Sequence, residues 1–61
     1  MMNEFKAARL AAGLTQLEMS ERMLIPKRTI ENWENDVRQP PPYVKRFVLN
    51  ELAEIAKNRN D

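Results

Sequence analysis

Thr15–Asn35, TQLEMSERMLIPKRTIENWEN, holds two short amphipathic segments separated by a proline-marked break. Thr15 followed three residues later by Glu18 forms a capping box: the threonine oxygen accepts from the Glu18 backbone N–H, and the Glu18 carboxylate accepts from the Thr15 N–H. Leu14 and Met19 stand where a hydrophobic staple would close over that cap. The pattern predicts a helix over 16–23, with Leu17, Met19, Ser20 and Met23 inward and Gln16, Glu18, Glu21 and Arg22 outward. Leu24–Ile25–Pro26 ends it, since Pro26 has no N–H and disfavours helical dihedrals at Ile25. Pro26 also suits the first turn of a second helix, over 27–35. At about 100° per residue, Pro26, Ile30 and Trp33 share one side of that helix, with Lys27, Arg28, Glu31, Asn32 and Asn35 on the other.

Isolated helices shorter than roughly 12 residues are marginal in water, so these two require partners. Asn3 can cap a first helix, about 3–12, with Glu4 in its first turn and Phe5, Ala8 and Ala12 as a narrow apolar stripe beside Arg9. Gly13, the only glycine, falls where a left-handed residue would close that helix. Beyond Asn35–Asp36, Val37 is expected to fold back on the core, and Pro40–Pro41–Pro42 reads as a stiff spacer opening a fourth helix over 42–57. Val44, Phe47, Val48, Leu52 and Ile55 form one apolar face of it, with Glu51 inside the stripe and so paired or beyond the core's edge. A second stripe of Leu49, Leu52, Ala53 and Ala56 is either a broader buried face or a seam for self-association. Lys45 and Arg46 are read as a solvated face or a contact to a polyanion backbone, and 58–61 as frayed.

The 61 residues have room for a single domain, 1–61, with a small core. There is no cysteine and no histidine, which removes disulfides, the usual zinc ligand sets and the common acid–base and nucleophile arrangements. No enzyme activity, metal, cofactor or small-molecule substrate is expected. The apolar runs are too short to span a bilayer and MMNEFK has no signal-peptide pattern, so a soluble cytoplasmic protein is expected. The net charge of +1 sets up no global field toward polyanions, so any nucleic-acid reading rests on where the charges sit. With little β-branched alternation the fold class is all-α: a compact four-helix domain.

Gly13–Leu14–Thr15–Gln16 together with Ile30–Glu31–Asn32–Trp33–Glu34–Asn35 at this separation resembles the lambda-repressor/Cro (XRE) type of helix-turn-helix DNA-binding domain, over about Phe5–Arg38. The resemblance implies a lambda-repressor-like fold acting as a transcriptional regulator, bacterial or phage, with the helix from Lys27 in the major groove. It implies base readout by Lys27, Arg28 and Asn32, and phosphate contacts by Gln16, Thr29 and Arg38. It also implies an orienting ion pair between Arg9 and Glu34. The implied partner is an inverted-repeat operator in double-stranded DNA, bound by a homodimer through the fourth helix.

Three departures from the family pattern stand out. Leu24 occupies the turn position usually held by glycine, which demands a positive φ of a leucine. Pro26 replaces the Ser/Thr cap of the recognition helix, so the side-chain cap bond is lost. Glu31, on the DNA-facing side, would repel phosphates unless it pairs with Arg28 or accepts from cytosine N4. Those departures and the small net charge support a second reading, a helical protein-interaction module such as a toxin–antitoxin or phage regulatory partner, without base readout.

Overall fold

The structure, a computed structural model, describes residues 2–59. Four helices follow one another: α1 (Glu4–Ala11), α2 (Gln16–Met23), α3 (Lys27–Glu34) and α4 (Pro42–Asn58). There is no strand among the described residues.

Each boundary has a local cause. Asn3 caps α1, its Oδ1 accepting from the Phe5 N–H at 2.8 Å and the Lys6 N–H at 3.3 Å. The helix closes one residue earlier than expected, with Ala12 as its cap and Gly13 at a φ of 75°. The Leu14 N–H reaches the Arg9 carbonyl at 3.2 Å and the Gly13 N–H the Leu10 carbonyl at 3.0 Å, the paired bonds of a Schellman ending. At α2 both halves of the capping box form: Thr15 N–H to Glu18 Oε1 at 2.8 Å, and Glu18 N–H to Thr15 Oγ1 at 3.0 Å.

Leu24 closes α2 in the left-handed region, at φ 56° and ψ 41°, with its side chain 89% exposed. The Ser20 carbonyl accepts from Ile25 N–H, and the Ser20 hydroxyl donates to the Ile25 carbonyl. These bonds hold the turn although leucine disfavours its dihedrals. Leu24→Gly removes that strain and almost no buried surface, at the cost of added freedom in the unfolded chain. A net gain of about 0.5–1 kcal/mol is expected, raising the midpoint of thermal unfolding by roughly 4–8 °C per kcal/mol. Circular dichroism melts check this; a lower midpoint would show that the leucine side chain makes a contact the backbone strain was offsetting.

The core is built from Phe5 and Ala12 of the α1 segment, Met19 of α2, Ile30 and Trp33 of α3, and Val48 and Leu52 of α4. Helix α1 lies between α3 and α4, and α2 packs on α3. Pro40 is buried whereas Pro41 and Pro42 are exposed, so the first proline anchors the connector and the last sits in the first turn of α4. The α4 helix extends to Asn58 with Arg59 as its cap, and the rest of the stretch expected to fray, Asn60 and Asp61, lies outside the described residues.

Four apolar positions differ from the expected pattern. Leu17 is 55% exposed because it sits two residues, about 200°, from Met19 on the same helix. Phe47 is 70% exposed, about 140° around α4 from the buried Leu52. Val37 donates its N–H to the Asn32 carbonyl at 2.9 Å, so its backbone folds back onto α3 while its side chain points to solvent. Pro26 is exposed because it precedes α3 as its cap and lies off the Ile30–Trp33 face. Of the two readings of the second α4 stripe, the burial fits the broader buried face: Leu52 is fully buried, Leu49 and Ala56 pack half-buried against the core, and only Ala53 is open to solvent. Glu51 lies on the exposed side of α4, past the edge of the core. No helix among the described residues is long and apolar enough to cross a membrane.

Candidate nucleic-acid interface

Helix α3 has two unlike sides. Ile30, Trp33 and Glu34 are buried and tie it to the body of the domain. On the opposite side Lys27, Arg28 and Asn35 are exposed and Glu31 and Asn32 are half-buried. Pro26 provides no side-chain acceptor to the first turn of α3, so the positive end of the helix carries free N–H groups next to two cations.

The Lys27 ammonium lies 3.6 Å from Glu31 Oε2. Glu31 is thus balanced by the residue four before it rather than by Arg28, three before, because i,i+4 partners on a helix stand one above the other. Both groups are substantially exposed, so the pair contributes only a few tenths of a kcal/mol and either partner can be recruited by a stronger ligand. Arg28 has no ion-pair partner among the described residues, and its guanidinium is available for a bidentate contact.

The orientation of α3 is set by a buried polar cluster. Arg9 Nε lies 2.7 Å from Glu34 Oε2 and Arg9 Nη2 lies 3.1 Å from Glu34 Oε1. Arg9 Nη1 also donates to the Leu14 carbonyl at 2.9 Å. Gln16 Nε2 donates to Glu34 Oε1 at 3.2 Å, so one carboxylate links α1, the start of α2 and the end of α3. One N–H of the Gln16 amide is thereby engaged; the second N–H and the amide oxygen are left for another partner. Thr29 is half-buried on the flank of α3, and Arg38 is exposed just beyond its C-terminal turn.

Sequence reasoning did not reach two of these links. Asn3 Nδ2 donates to the Trp33 carbonyl at 3.0 Å and to Asp36 Oδ1 at 2.9 Å, clamping the end of α3 to the start of α1. An N-cap asparagine has two amide donors to spare after its oxygen has capped a helix, and that was the available signal. The bond from Gln16 to Glu34 had no local signature, since the residues are separated by eighteen positions. Lys45, half-buried, pairs with Glu4 at 2.7 Å and joins α4 to α1. A concavity of about 380 Å³ lies away from α3, between the end of α1, α2 and α4. Among the described residues no carboxylate cluster suited to a metal ion occurs.

The profile of the helix-turn-helix family matches residues 5–44, which span α1, α2, α3 and the opening of α4. No curated protein and no solved structure matches the chain. The chain has a capped α2, a three-residue step and an α3 that is apolar behind and cationic in front, and it belongs to that family, as a DNA-binding helix-turn-helix regulator of the lambda-repressor/Cro (XRE) type.

Proposed function

We propose that the protein is a single-domain, cytoplasmic transcriptional regulator that reads double-stranded DNA sequence with α3 in the major groove. The observation that carries this is the outer face of α3, where Arg28 and Asn32 turn away from the buried Ile30 and Trp33 and Lys27 is exposed in the first turn. Arg28 and Lys27 have the donors for guanine O6 and N7, and Asn32 has the donor and acceptor for adenine N7 and N6. Gln16, Thr29 and Arg38 border that face and would bond phosphates, setting register without carrying sequence information. The Arg9–Glu34 pair and the Asn3 clamp supply the rigidity that base readout requires. A homodimer using α4 would place two such helices about 34–36 Å apart on an inverted repeat.

Selection of bound fragments from a random duplex pool tests the reading, and enrichment of an inverted repeat is expected. Arg28→Ala should then weaken the selected site by about 1–3 kcal/mol and relax the preference at one base position. Gln16→Ala should weaken all sequences alike. An unaltered preference in Arg28→Ala would displace α3 from the groove.

The Lys27–Glu31 pair and the net charge of +1 favour a second reading, a protein-interaction module of a toxin–antitoxin or phage regulatory system. Salt dependence separates the two. Phosphate contacts force log K to fall with log salt at a slope of about −0.9 for each phosphate neutralised. A flat dependence belongs to the interaction module.

A further inference from the structure

We infer that Glu31 is a specificity-determining residue, which selects one G·C base pair jointly with Lys27 and does so by exclusion; this rests on the placement of α3 in the major groove. The Lys27 ammonium and the Glu31 carboxylate stand 3.6 Å apart on one flank of α3, with side chains 52% and 37% exposed. A helical side chain leans toward the N-terminus of its helix, so the carboxylate lies over the turn of Lys27, the end of α3 that would meet base edges. The two groups together offer a cationic donor beside an anionic acceptor. A G·C pair presents the reverse in the major groove, with guanine O6 and N7 as acceptors beside the cytosine N4 donor. Lys27 on guanine with Glu31 on cytosine N4 thus matches both edges while the ammonium and carboxylate stay together. An A·T pair matches less well: thymine O4 gives Lys27 one acceptor where guanine gives two, and the thymine methyl crowds it.

Glu31 by itself is opposed by a polyanion. A carboxylate brought between phosphates meets their charge, and once water is displaced it requires a donor. Cytosine N4 and adenine N6 are the donors on the major-groove edges, whereas guanine and thymine present acceptors there. Against guanine or thymine the carboxylate is left unpaired. The exposed pair with Lys27 offsets little of that cost, since such pairs attract weakly. Glu31 therefore lowers affinity for every duplex, and least for one that sets cytosine beneath it, which is discrimination through a repulsive element. Arg28 has no ion-pair partner among the described residues and reads its own base independently of this pair.

Fluorescence-anisotropy titrations at fixed salt test this, on the duplex selected from the random pool, on each of its single-pair variants and on an unrelated duplex. The unaltered chain should require one G·C pair whose replacement weakens binding about 5–100-fold. Glu31→Gln, whose amide both donates and accepts, should lose the preference at that pair, keep the others, and bind the unrelated duplex about two- to fivefold more tightly. Lys27→Met should bind more weakly and relax that same pair. Circular dichroism checks that both variants are folded. A purely structural Glu31 would instead weaken all duplexes alike when replaced. That result, an unchanged preference in Glu31→Gln, or relaxation of different pairs by the two variants overturns the inference, and overturns it alone if Arg28→Ala still relaxes its own base position. Failure of the unaltered chain to enrich any sequence overturns it together with the DNA reading.

Discussion

Glu34→Ala is expected to remove a large share of the folding stability of the domain. Glu34 is 8% exposed and Arg9 7%, and the carboxylate removed accepts from two Arg9 nitrogens and from Gln16. The guanidinium left behind would keep only the Leu14 carbonyl. Breaking a buried pair from one side costs about 3–5 kcal/mol, since it strands an uncompensated charge. A chain this short has roughly 3–9 kcal/mol of stability in total, at about 0.05–0.15 kcal/mol per residue. Urea unfolding followed by circular dichroism measures the loss. A shift under about 1 kcal/mol would mean the pair is far better hydrated than its burial implies. Replacing both partners together, Arg9→Met with Glu34→Leu, should recover most of the stability, because an apolar pair of similar volume carries no desolvation penalty. That double variant should nonetheless bind DNA more weakly, as Gln16 loses its acceptor and α3 its bidentate orienting contact.

What could be read before any coordinates were those features whose signal lies within a few residues. The Thr15–Glu18 box, Gly13 at a helix end and the strained Leu24 each follow from a local requirement of backbone dihedrals or orphan N–H groups. The apolar assignments were less reliable wherever hydrophobicity alone was counted. Leu17 and Phe47 are apolar and lie in helices, yet the angle each makes with Met19 or Leu52 sends it outward. On α4 two overlapping stripes shared Leu52, and only the position of α1 against that helix decides which of them is the core. The stripe of Leu49, Leu52, Ala53 and Ala56, readable as a buried face or as a seam, lies mostly on the inner side, and Phe47, which the periodicity places inward, lies outside.

For the candidate interface the division is different. The residue types and spacing of Lys27, Arg28 and Asn32 locate a polar face on α3, and periodicity alone opposes it to Ile30 and Trp33. The supports of that face are long-range: Asn3 reaches Trp33 and Asp36, 30 and 33 positions away. No periodicity encodes such a contact. Glu31 is expected from the sequence against Arg28 or a cytosine, and it lies instead against Lys27, four residues before it.

Trp33→Ala should be about as destabilising as the loss of Glu34, for a different reason. Trp33 is 8% exposed, and its ring packs on that of Phe5 with centroids 5.2 Å apart and planes tilted by 35°. Truncation removes the aromatic contact and leaves a cavity between α1 and α3, at about 3–5 kcal/mol. Trp33→Phe keeps a ring in the site and should cost distinctly less. The polar outer face of α3 makes no apolar contribution to holding the helix down, so Ile30 and Trp33 carry that burden between them. DNA affinity of Trp33→Ala should consequently fall in proportion to the unfolded fraction and equally for all sequences. At low temperature, where circular dichroism shows residual folded protein, the base preference should equal that of the unaltered chain. A changed preference would place Trp33 in readout rather than in support, and a melting midpoint within a few degrees of the unaltered chain would mean that α3 is not anchored through Phe5.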